Sequence, residues 1–274
     1  MAVAGDQLTQ RGAAQPRVGW APWRRALWFH YAFWQRTWKG SIVSSFLFPI
    51  LYLASMGLGV GHLVNEHSGG VQGVSYLDYV APAMLALTAL QVSANETMWP
   101  VLASFKWVRS YWTAVSTPVS ARDVVVGKIG WVTIHVLMVG SIYTAVLAVF
   151  GTLHSPWAIL LPLAGALTGF AFAAPIAAFS ATQESPQAFP VIYRFAVIPM
   201  FLFSGAFYPV SQLPGWLQPV VQVTPLYQGV TLCRTLALGQ GALAMTCVHI
   251  AYLAVLAAVG TVVCIRNFRR RLEV

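Results

Sequence analysis

Charged side chains are scarce in this chain of 274 residues, and the few present leave long stretches without any charge. Only 8% of the residues are Asp, Glu, Lys or Arg, whereas 58% are hydrophobic. In globular proteins about a quarter of the residues are charged. Between Lys128 and Arg194 the only fully charged side chain is Glu184, and a membrane span needs only about 20 apolar residues. The composition therefore excludes a soluble globular domain and predicts an integral membrane protein.

Cysteine and the common cofactor motifs are also missing or rare. The three cysteines are an odd number without CxxC spacing, which favours neither a disulfide framework nor a zinc site. The GxxxxGK[ST] phosphate loop is absent, so we expect no ATP hydrolysis by the chain itself and no cofactor bound by it. The first 20 residues lack the apolar core of a secretory signal, which predicts a cytoplasmic N-terminus.

The basic residues, which give a net charge of +9, are gathered in an N-terminal arm, an inter-span loop and the tail. Twelve of the 16 Lys and Arg residues form these clusters: Arg24, Arg25, Arg36 and Lys39, then Lys106, Arg109, Arg122 and Lys128, and finally Arg266, Arg269, Arg270 and Arg271. Basic residues confined to alternate loops follow the positive-inside rule. The distribution predicts a multi-pass protein of the plasma membrane with both termini cytoplasmic, and it argues against a nucleic-acid partner.

Hydropathy predicts an all-α membrane protein with six transmembrane helices. We expect a disordered cytoplasmic arm over 1–21, an amphipathic interface helix over 22–39, and a single six-span domain over 40–274. The helix over 22–39 separates basic from aromatic residues, which is typical of a helix in the lipid head-group plane, although a cytosolic helix packed on a partner has the same pattern. The spans are predicted at 41–61, 78–99, 124–150, 157–180, 191–208 and 242–264.

The segment between spans five and six is apolar but too broken for one straight helix. Its prolines are Pro209, Pro214, Pro219 and Pro225. Each removes a backbone donor and clashes with the preceding helical turn. Because irregular backbone at membrane depth must be buried in protein or line water, we expect an extracellular re-entrant helical hairpin over 205–234. Gly205 and Gly215 are expected at its tight turns, and an ordinary apolar loop is the alternative.

Span two carries a polar face, and polar side chains inside a span face protein or water. One interpretation is a translocation path at a subunit interface, with aromatic walls from the hairpin. The other is hydrogen bonding between helices within one bundle. The residues of the candidate path are Met84, Thr88, Gln91, Asn95, Phe203 and Phe207.

The inside loop between spans two and three mixes aromatic and basic residues. Trp107, Tyr111 and Val115 recur at four-residue spacing, which predicts a helix over 104–116 with an apolar face. Aromatic rings in a cytoplasmic loop forfeit their burial unless a partner covers them. We therefore expect a docking element in which Trp107 and Tyr111 insert into a partner subunit. The full predicted set is Lys106, Trp107, Arg109, Tyr111, Trp112 and Val115.

Motifs in the hairpin segment also carry a family resemblance. They are Phe203-Ser204-Gly205-Ala206-Phe207-Tyr208-Pro209, Leu213-Pro214-Gly215-Trp216-Leu217 and Thr224-Pro225-Leu226-Tyr227. They resemble the C-terminal signature of the type-two ABC exporter permeases, and are most similar to the nodulation lipo-oligosaccharide and daunorubicin-resistance types. The resemblance covers nearly the whole chain after about Pro22. It includes Thr117-Pro118, Asp123 and Gly127 near the loop, whereas Lys128 stands where relatives often have an acidic residue.

The resemblance implies the permease subunit of an ATP-driven exporter of a bacterial plasma membrane. Its cargo would be an amphipathic drug, a lipid or a lipid-linked saccharide. The implied assembly contains a second copy of the chain and two copies of an ABC ATPase subunit, which bind the ATP and magnesium. In such permeases the loop over 104–116 holds the coupling helix that seats in the ATPase, and the surrounding membrane lipid is a further partner.

Two other classes of protein remain as alternatives. A proton-coupled secondary transporter should carry acidic residues at mid-membrane, whereas Asp78 and Glu96 are predicted near span ends. His135 could relay protons, but a lone histidine in a span is more often a hydrogen-bonded packing residue. An intramembrane serine protease could use Ser204 and His249, but Leu202 stands where such proteases have glycine.

Overall fold

A computed structural model describes the backbone of residues 22–273, and the side chains of these residues except 33, 36–49, 57, 58 and 68. The arm predicted over 1–21 lies outside the described residues. Within residues 22–273 the regular elements are helices, and the extended pairing is one isolated bridge between Val71 and Val74. The α-helices are α1 (Pro22–Ala54), α2 (Gly61–Ser68), α3 (Tyr76–Thr97), α4 (Trp99–Lys106), α5 (Ser110–Val115), α6 (Ala121–Val149), α7 (Leu161–Ser180), α8 (Ala188–Ile192), α9 (Ile198–Phe203), α10 (Leu217–Val223), α11 (Pro225–Leu238) and α12 (Leu243–Leu272).

Long, apolar helical segments match four of the predicted spans. They are Tyr76–Lys106, Ala121–Val149, Pro156–Ser180 and Leu243–Leu272, and by length and composition each is sufficient to cross a membrane. A shorter apolar segment, Ala188–Phe203, covers most of predicted span five. The all-helical class and these four candidate spans are confirmed for the described residues. The count of six spans stays a prediction.

The first helix is longer than the sequence predicts. We expected an interface helix ending at Lys39 and a separate span from Ser41, but α1 continues without a break from Pro22 to Ala54, and a π-helical turn joins it to α2. The first part of α1 packs on α6, where the rings of Tyr31 and Trp34 lie 6.2 and 6.1 Å from that of Trp131. The aromatic arc of this helix therefore faces protein at these residues.

The central helix of the bundle is α7, which packs against α3, α6, α11 and α12. Small residues allow these close approaches. A Cβ on Gly169 would lie 2.9 Å from Val136 of α6, and one on Gly260 of α12 would lie 2.7 Å from Pro175 of α7. Ser93 of α3 also donates a hydrogen bond of 2.8 Å to the Gly169 carbonyl. The outer faces of the bundle remain apolar and exposed, as on α12 at Val255, Val259 and Val262, which suits contact with lipid.

The two ends of the helical bundle are formed by different segments of the chain. At one end lie the last turns of α4, α7 and α12 and the first turn of α6, and these turns contain Lys106, Arg122, Arg269, Arg270 and Arg271. We call this the basic end. The first turns of α3 and α12 and the segment from Ser204 to Leu238 lie at the other, the hairpin end.

Candidate coupling surface and substrate path

The inside loop is two short helices rather than the single helix predicted over 104–116. The helix α4 ends at Lys106, and α5 begins at Ser110 after Arg109, whose φ of +54° is left-handed. A non-glycine residue with positive φ sharply redirects the chain. As a result Trp107, Tyr111 and Val115 do not share one helical face.

The turn separates the aromatic residues of this loop into exposed and buried groups. Trp107 is 56% and Trp112 38% exposed, whereas Tyr111 is only 3% exposed. The Tyr111 ring packs 5.0 Å from Phe105 and 5.4 Å from Phe268, measured between ring centroids. Burial raises the pKa of the Tyr111 phenol above its usual range, so this side chain stays neutral. The structure thus places Tyr111 inside the chain's own core, and it places Trp107 and Trp112 on the surface.

Three distant segments meet around the exposed tryptophans. Lys106 donates a 2.6 Å hydrogen bond to the carbonyl of Glu184, in the loop after α7. Arg271, at the end of α12, forms a 3.0 Å ion pair with the Glu184 carboxylate and lies 4.6 Å from the centroid of the Phe105 ring. The Trp112 indole N–H donates to the Phe105 carbonyl at 3.2 Å. The second inside loop and the tail therefore join the coupling loop in one surface.

The joined segments line an open depression of about 540 Å³ at the basic end. Its lining residues are Phe105, Lys106, Arg109, Trp112, Glu184 and Arg271. We call these residues together with Trp107 the coupling surface. Val115 is half-buried behind it, packed on the cluster that contains Tyr111. The surface offers basic groups and exposed indole rings, a composition that suits a protein partner.

The predicted path residues on α3 do not form one continuous polar track within this chain. Met84 is 2% exposed in the core, and the Thr88 hydroxyl donates to the Met84 carbonyl of its own helix at 2.8 Å. Gln91 is half-buried and Asn95 is exposed. Asn95 lines a cavity of about 310 Å³ with residues of α8 and the turn after it. The polar end of this face therefore opens toward the basic end.

The two aromatic path residues lie near the start of the hairpin segment. Phe203 is exposed. Phe207 packs on Phe201 at 5.5 Å and on Tyr52 at 6.5 Å. Phe207 thus joins the main core of the bundle, and Phe203 stays on the surface.

Gly205 makes the first turn of the hairpin segment. Its φ is +75°, and a Cβ there would lie 2.8 Å from Val210, so the expected tight turn is present. Its carbonyl accepts hydrogen bonds from the Tyr79 hydroxyl at 3.0 Å and from Arg234 at 2.9 Å. At Gly215 an added Cβ would meet no atom within 4 Å, and φ is not in the left-handed region. Gly215 does lie in a turn, which the Leu217 N–H closes on the Pro214 carbonyl at 2.8 Å, but this turn does not require glycine.

The prolines of this segment begin helices as well as interrupting them. Pro209 precedes a 3₁₀ turn at Val210–Gln212, and the Pro214 carbonyl accepts from the Leu217 N–H at the start of α10. Pro225 is the first residue of α11, with Thr224 as its cap. Proline suits these positions because the first-turn N–H groups have no partner within the helix. The segment is thus built of helical turns, as predicted, while its depth in a membrane stays a prediction.

A charged cluster between α3 and α6 was not predicted from the sequence. Glu96 pairs with Lys128 at 3.0 Å and with His135 at 3.2 Å, and the Lys128 side chain is only 4% exposed. Two signals pointed to it: Lys128 falls inside an apolar helix, where a charge requires a partner, and His135 lies seven residues later on the same face. His135 is hydrogen-bonded and packed, as expected.

Ser204 and His249 have other partners, the Phe201 carbonyl and the Gln228 amide respectively.

Comparison with known proteins identifies the family. Residues 24–238 match the ABC-2 type transporter family. The chain is 33% identical over 233 residues to nodulation protein J of Rhizobium meliloti (strain 1021), covering 83% of this chain and 85% of the relative. It is 32% identical over 255 residues to nodulation protein J of Rhizobium leguminosarum bv. viciae, covering 92% and 94%. The inner membrane transport permease YadH of Escherichia coli (strain K12) is 23% identical over 203 residues, covering 70% and 73%.

These matches span most of the chain and include all of the elements from α3 to α11. They decide against the secondary transporter and the intramembrane protease. They also agree with the expectation of a membrane subunit that leaves ATP hydrolysis to a partner. The chain belongs to the ABC-2 type transporter family, as a non-catalytic permease subunit of an ABC transporter.

Proposed function

We propose that this chain is the permease subunit of an exporter that moves an amphipathic lipid, lipid-linked saccharide or drug outward across a bacterial plasma membrane. The resemblance to nodulation protein J relatives favours a lipid-linked saccharide among these cargoes. The working unit would be two permease chains and two ATPase subunits. In this topology α1 and Ala188–Phe203 join the four long candidate spans, and both termini lie in the cytoplasm.

The observation that carries the proposal is the coupling surface at the basic end. Two indole rings are exposed there beside Lys106 and Arg109. Exposed aromatic rings with adjacent basic groups are typical of interface hot spots. Because Glu184 and Arg271 tie this surface to α7 and α12, a push on it is transmitted to two candidate spans. ATP-driven closure of the ATPases would then switch the permease between inward-open and outward-open states.

Truncating the exposed rings tests this assignment. Trp107→Ala combined with Trp112→Ala should abolish co-purification with the partner ABC ATPase, and should leave the permease folded in the membrane. A hot-spot ring contributes about 2 kcal/mol or more to binding, which corresponds to about a thirtyfold loss of affinity. Co-purification from detergent extracts, with ATP hydrolysis measured on the same samples, gives the readout.

The matched control uses two exposed tryptophans at the hairpin end, Trp157→Ala combined with Trp216→Ala. These rings are 59% and 74% exposed, so their loss removes similar apolar area away from the coupling surface. The control should keep the ATPase bound. If the Trp107 and Trp112 variant still co-purifies like the parent, the coupling surface is not the docking site.

A further inference from the structure

A polar pocket lies at the hairpin end, opposite the coupling surface. Its volume is about 380 Å³, and α3, the hairpin segment and α11 line it. Amide, hydroxyl and phenol groups dominate its wall, and the one charged group in it is Arg234. Only 8% of the residues of the chain are charged, so a cation inside a pocket of polar groups is notable. We call it the hairpin pocket.

Arg234 is fixed in this pocket by contacts that use only part of its guanidinium. Its Nε donates to the Tyr79 carbonyl at 3.1 Å, and its Nη2 donates to the carbonyls of Gly205 and Ala206 at 2.9 and 3.4 Å. The guanidinium also lies 3.7 Å from the centroid of the Tyr79 ring. Since the side chain is already ordered, a ligand that binds it loses little additional conformational entropy.

The charge of Arg234 has no carboxylate partner among residues 22–273. None of the residues that line the hairpin pocket is acidic. Asp78 precedes Tyr79 in the sequence, but its carboxylate accepts a hydrogen bond from the Ser75 hydroxyl and pairs with His154. The two N–H groups of Nη1 donate no hydrogen bond to the described residues. A planar pair of free donors on a fixed cation is suited to a phosphate or carboxylate.

The rest of the pocket wall suits a ligand with hydroxyl groups. The Gln218 amide N–H group donates to the Leu213 carbonyl at 2.9 Å, which leaves its amide oxygen as an acceptor. The side chains of Gln222, Thr231 and Thr235 also line the pocket. Amides and hydroxyls both donate and accept hydrogen bonds, and together they match the alternating groups of a polyol or sugar.

We propose that the hairpin pocket binds an anionic, hydroxyl-bearing head group, a phosphate ester of a polyol or sugar, with Arg234 holding the anion and the amides holding the hydroxyls. Two sources carry this chemistry, the head group of the exported lipid and that of a resident phospholipid such as phosphatidylglycerol. The inference rests on the proposed function for placing the pocket on the outward side of the membrane.

The test uses sn-glycerol 3-phosphate as the probe, with glycerol and inorganic phosphate as partial probes. Calorimetry on the full-length permease with its ATPase, in phosphate-free detergent buffer, should show that sn-glycerol 3-phosphate binds more tightly than either partial probe. Arg234 itself also holds the Gly205 turn, so its replacement would mix folding with binding. The variant is therefore Gln222→Glu, which adds a carboxylate to the pocket with almost no change in shape.

Gln222→Glu should weaken the binding of sn-glycerol 3-phosphate by at least about tenfold, because the added carboxylate pairs with Arg234 or repels the phosphate. Gln212→Glu, at an exposed residue of the same segment outside the pocket wall, should bind like the parent. Failure of the parent to bind the probe, or equal binding by Gln222→Glu, would overturn the proposal. Retained ATPase co-purification in those samples would show that the site fails while the proposed function stands.

Nanodiscs separate the two sources of the head group. The titration is repeated in phosphatidylcholine discs with and without phosphatidylglycerol. If phosphatidylglycerol lowers the apparent affinity for sn-glycerol 3-phosphate, the resident phospholipid occupies the pocket, whereas an unchanged affinity assigns the pocket to cargo. Both results support the site, provided that binding is sensitive to Gln222→Glu.

Discussion

Gly205 forms the turn that follows α9 and begins the hairpin segment. The residue combines a φ of +75° with a carbonyl that accepts from both Tyr79 and Arg234. In the left-handed region a Cβ costs about 1–2 kcal/mol for an L-residue, and here it would also lie 2.8 Å from Val210. The turn and the position of Arg234 therefore depend on the absence of a side chain.

Gly205→Ala should lower the free energy of unfolding by about 1–3 kcal/mol. Gly215→Ala is the matched control, because a Cβ there meets nothing within 4 Å. Thermal unfolding in detergent, followed by loss of the monodisperse species on heating, measures both variants. Equal midpoints for Gly205→Ala and the parent would show that the turn is not strained by a side chain.

Single residues also show where sequence reasoning reaches its limit. The four-residue spacing of Trp107 and Tyr111 predicted one exposed face, but the left-handed turn at Arg109 rotates α5 and buries Tyr111 against Phe268. A positive φ at arginine is rare and has no sequence signature. The composition of the loop indicated a docking surface, but which rings are exposed depends on packing with Phe268 of α12, 157 residues after Tyr111.

At the scale of helices, the cluster of Glu96, Lys128 and His135 joins α3 to α6. The Lys128 side chain is 4% and that of Glu96 26% exposed. Removing one partner from a buried ion pair leaves an uncompensated charge, which typically costs about 3–5 kcal/mol. The cluster therefore makes the pairing of these two helices sensitive to each of its members.

Lys128→Met should lower the free energy of unfolding by about 3 kcal/mol, measured by the same thermal assay. The double variant Lys128→Met with Glu96→Gln should recover much of this loss, because it removes the Glu96 charge, which Lys128→Met leaves with His135 as its remaining partner. Arg122→Met, an exposed residue on α6, serves as the control for loss of a basic side chain. Additive losses in the double variant would show that Lys128 and Glu96 do not interact.

The predictability of each helix follows from the strength of its sequence signal. Long apolar runs specified α3, α6, α7 and α12, because few alternatives exist for 20 or so uncharged residues in a membrane chain. The sequence predicted an interface helix over 22–39 and a separate span from Ser41, whereas the helix α1 continues through Lys39 to Ala54. In the hairpin segment the prolines were interpreted as helix breaks. Pro225 instead begins α11, because proline is well accommodated at the first position of a helix.

The two ends of the molecule differ in their basic residues and in the candidate site that each carries. The coupling surface and the basic tail lie together, and the hairpin pocket lies at the opposite end of the bundle. By the positive-inside rule we expect the basic end to be cytoplasmic. With that orientation, the proposed ATPase docking site and the proposed head-group site would lie on opposite sides of the membrane.

Cysteine labelling tests that orientation. In a Cys247→Ser background, which removes the exposed native thiol, Gly215→Cys should react with a membrane-impermeant maleimide in intact cells. Glu273→Cys, exposed at the basic end, should react only after permeabilisation. Labelling of Glu273→Cys in intact cells would reverse the orientation and place the hairpin pocket in the cytoplasm.

The sequence did not show which residues form the coupling surface, although it did show which family the chain resembles. Lys106, Glu184 and Arg271 are separated by 78 and 87 residues along the chain. Each appeared as one more charge in a loop or tail, and only the packing of α4, α7 and α12 brings them into contact. Long-range ion pairs of this kind carry no local periodicity, which is the signal that sequence reading depends on.

In the proposed assembly Trp107 and Trp112 face the ATPase subunit. Photo-crosslinking checks this contact: p-benzoylphenylalanine is incorporated at position 107, and at position 216 as the hairpin-end control, in cells that also express the ATPase. Irradiation should give a covalent permease–ATPase adduct from position 107 and none from position 216. An adduct from position 216 instead of position 107 would show that Trp107 does not face the ATPase.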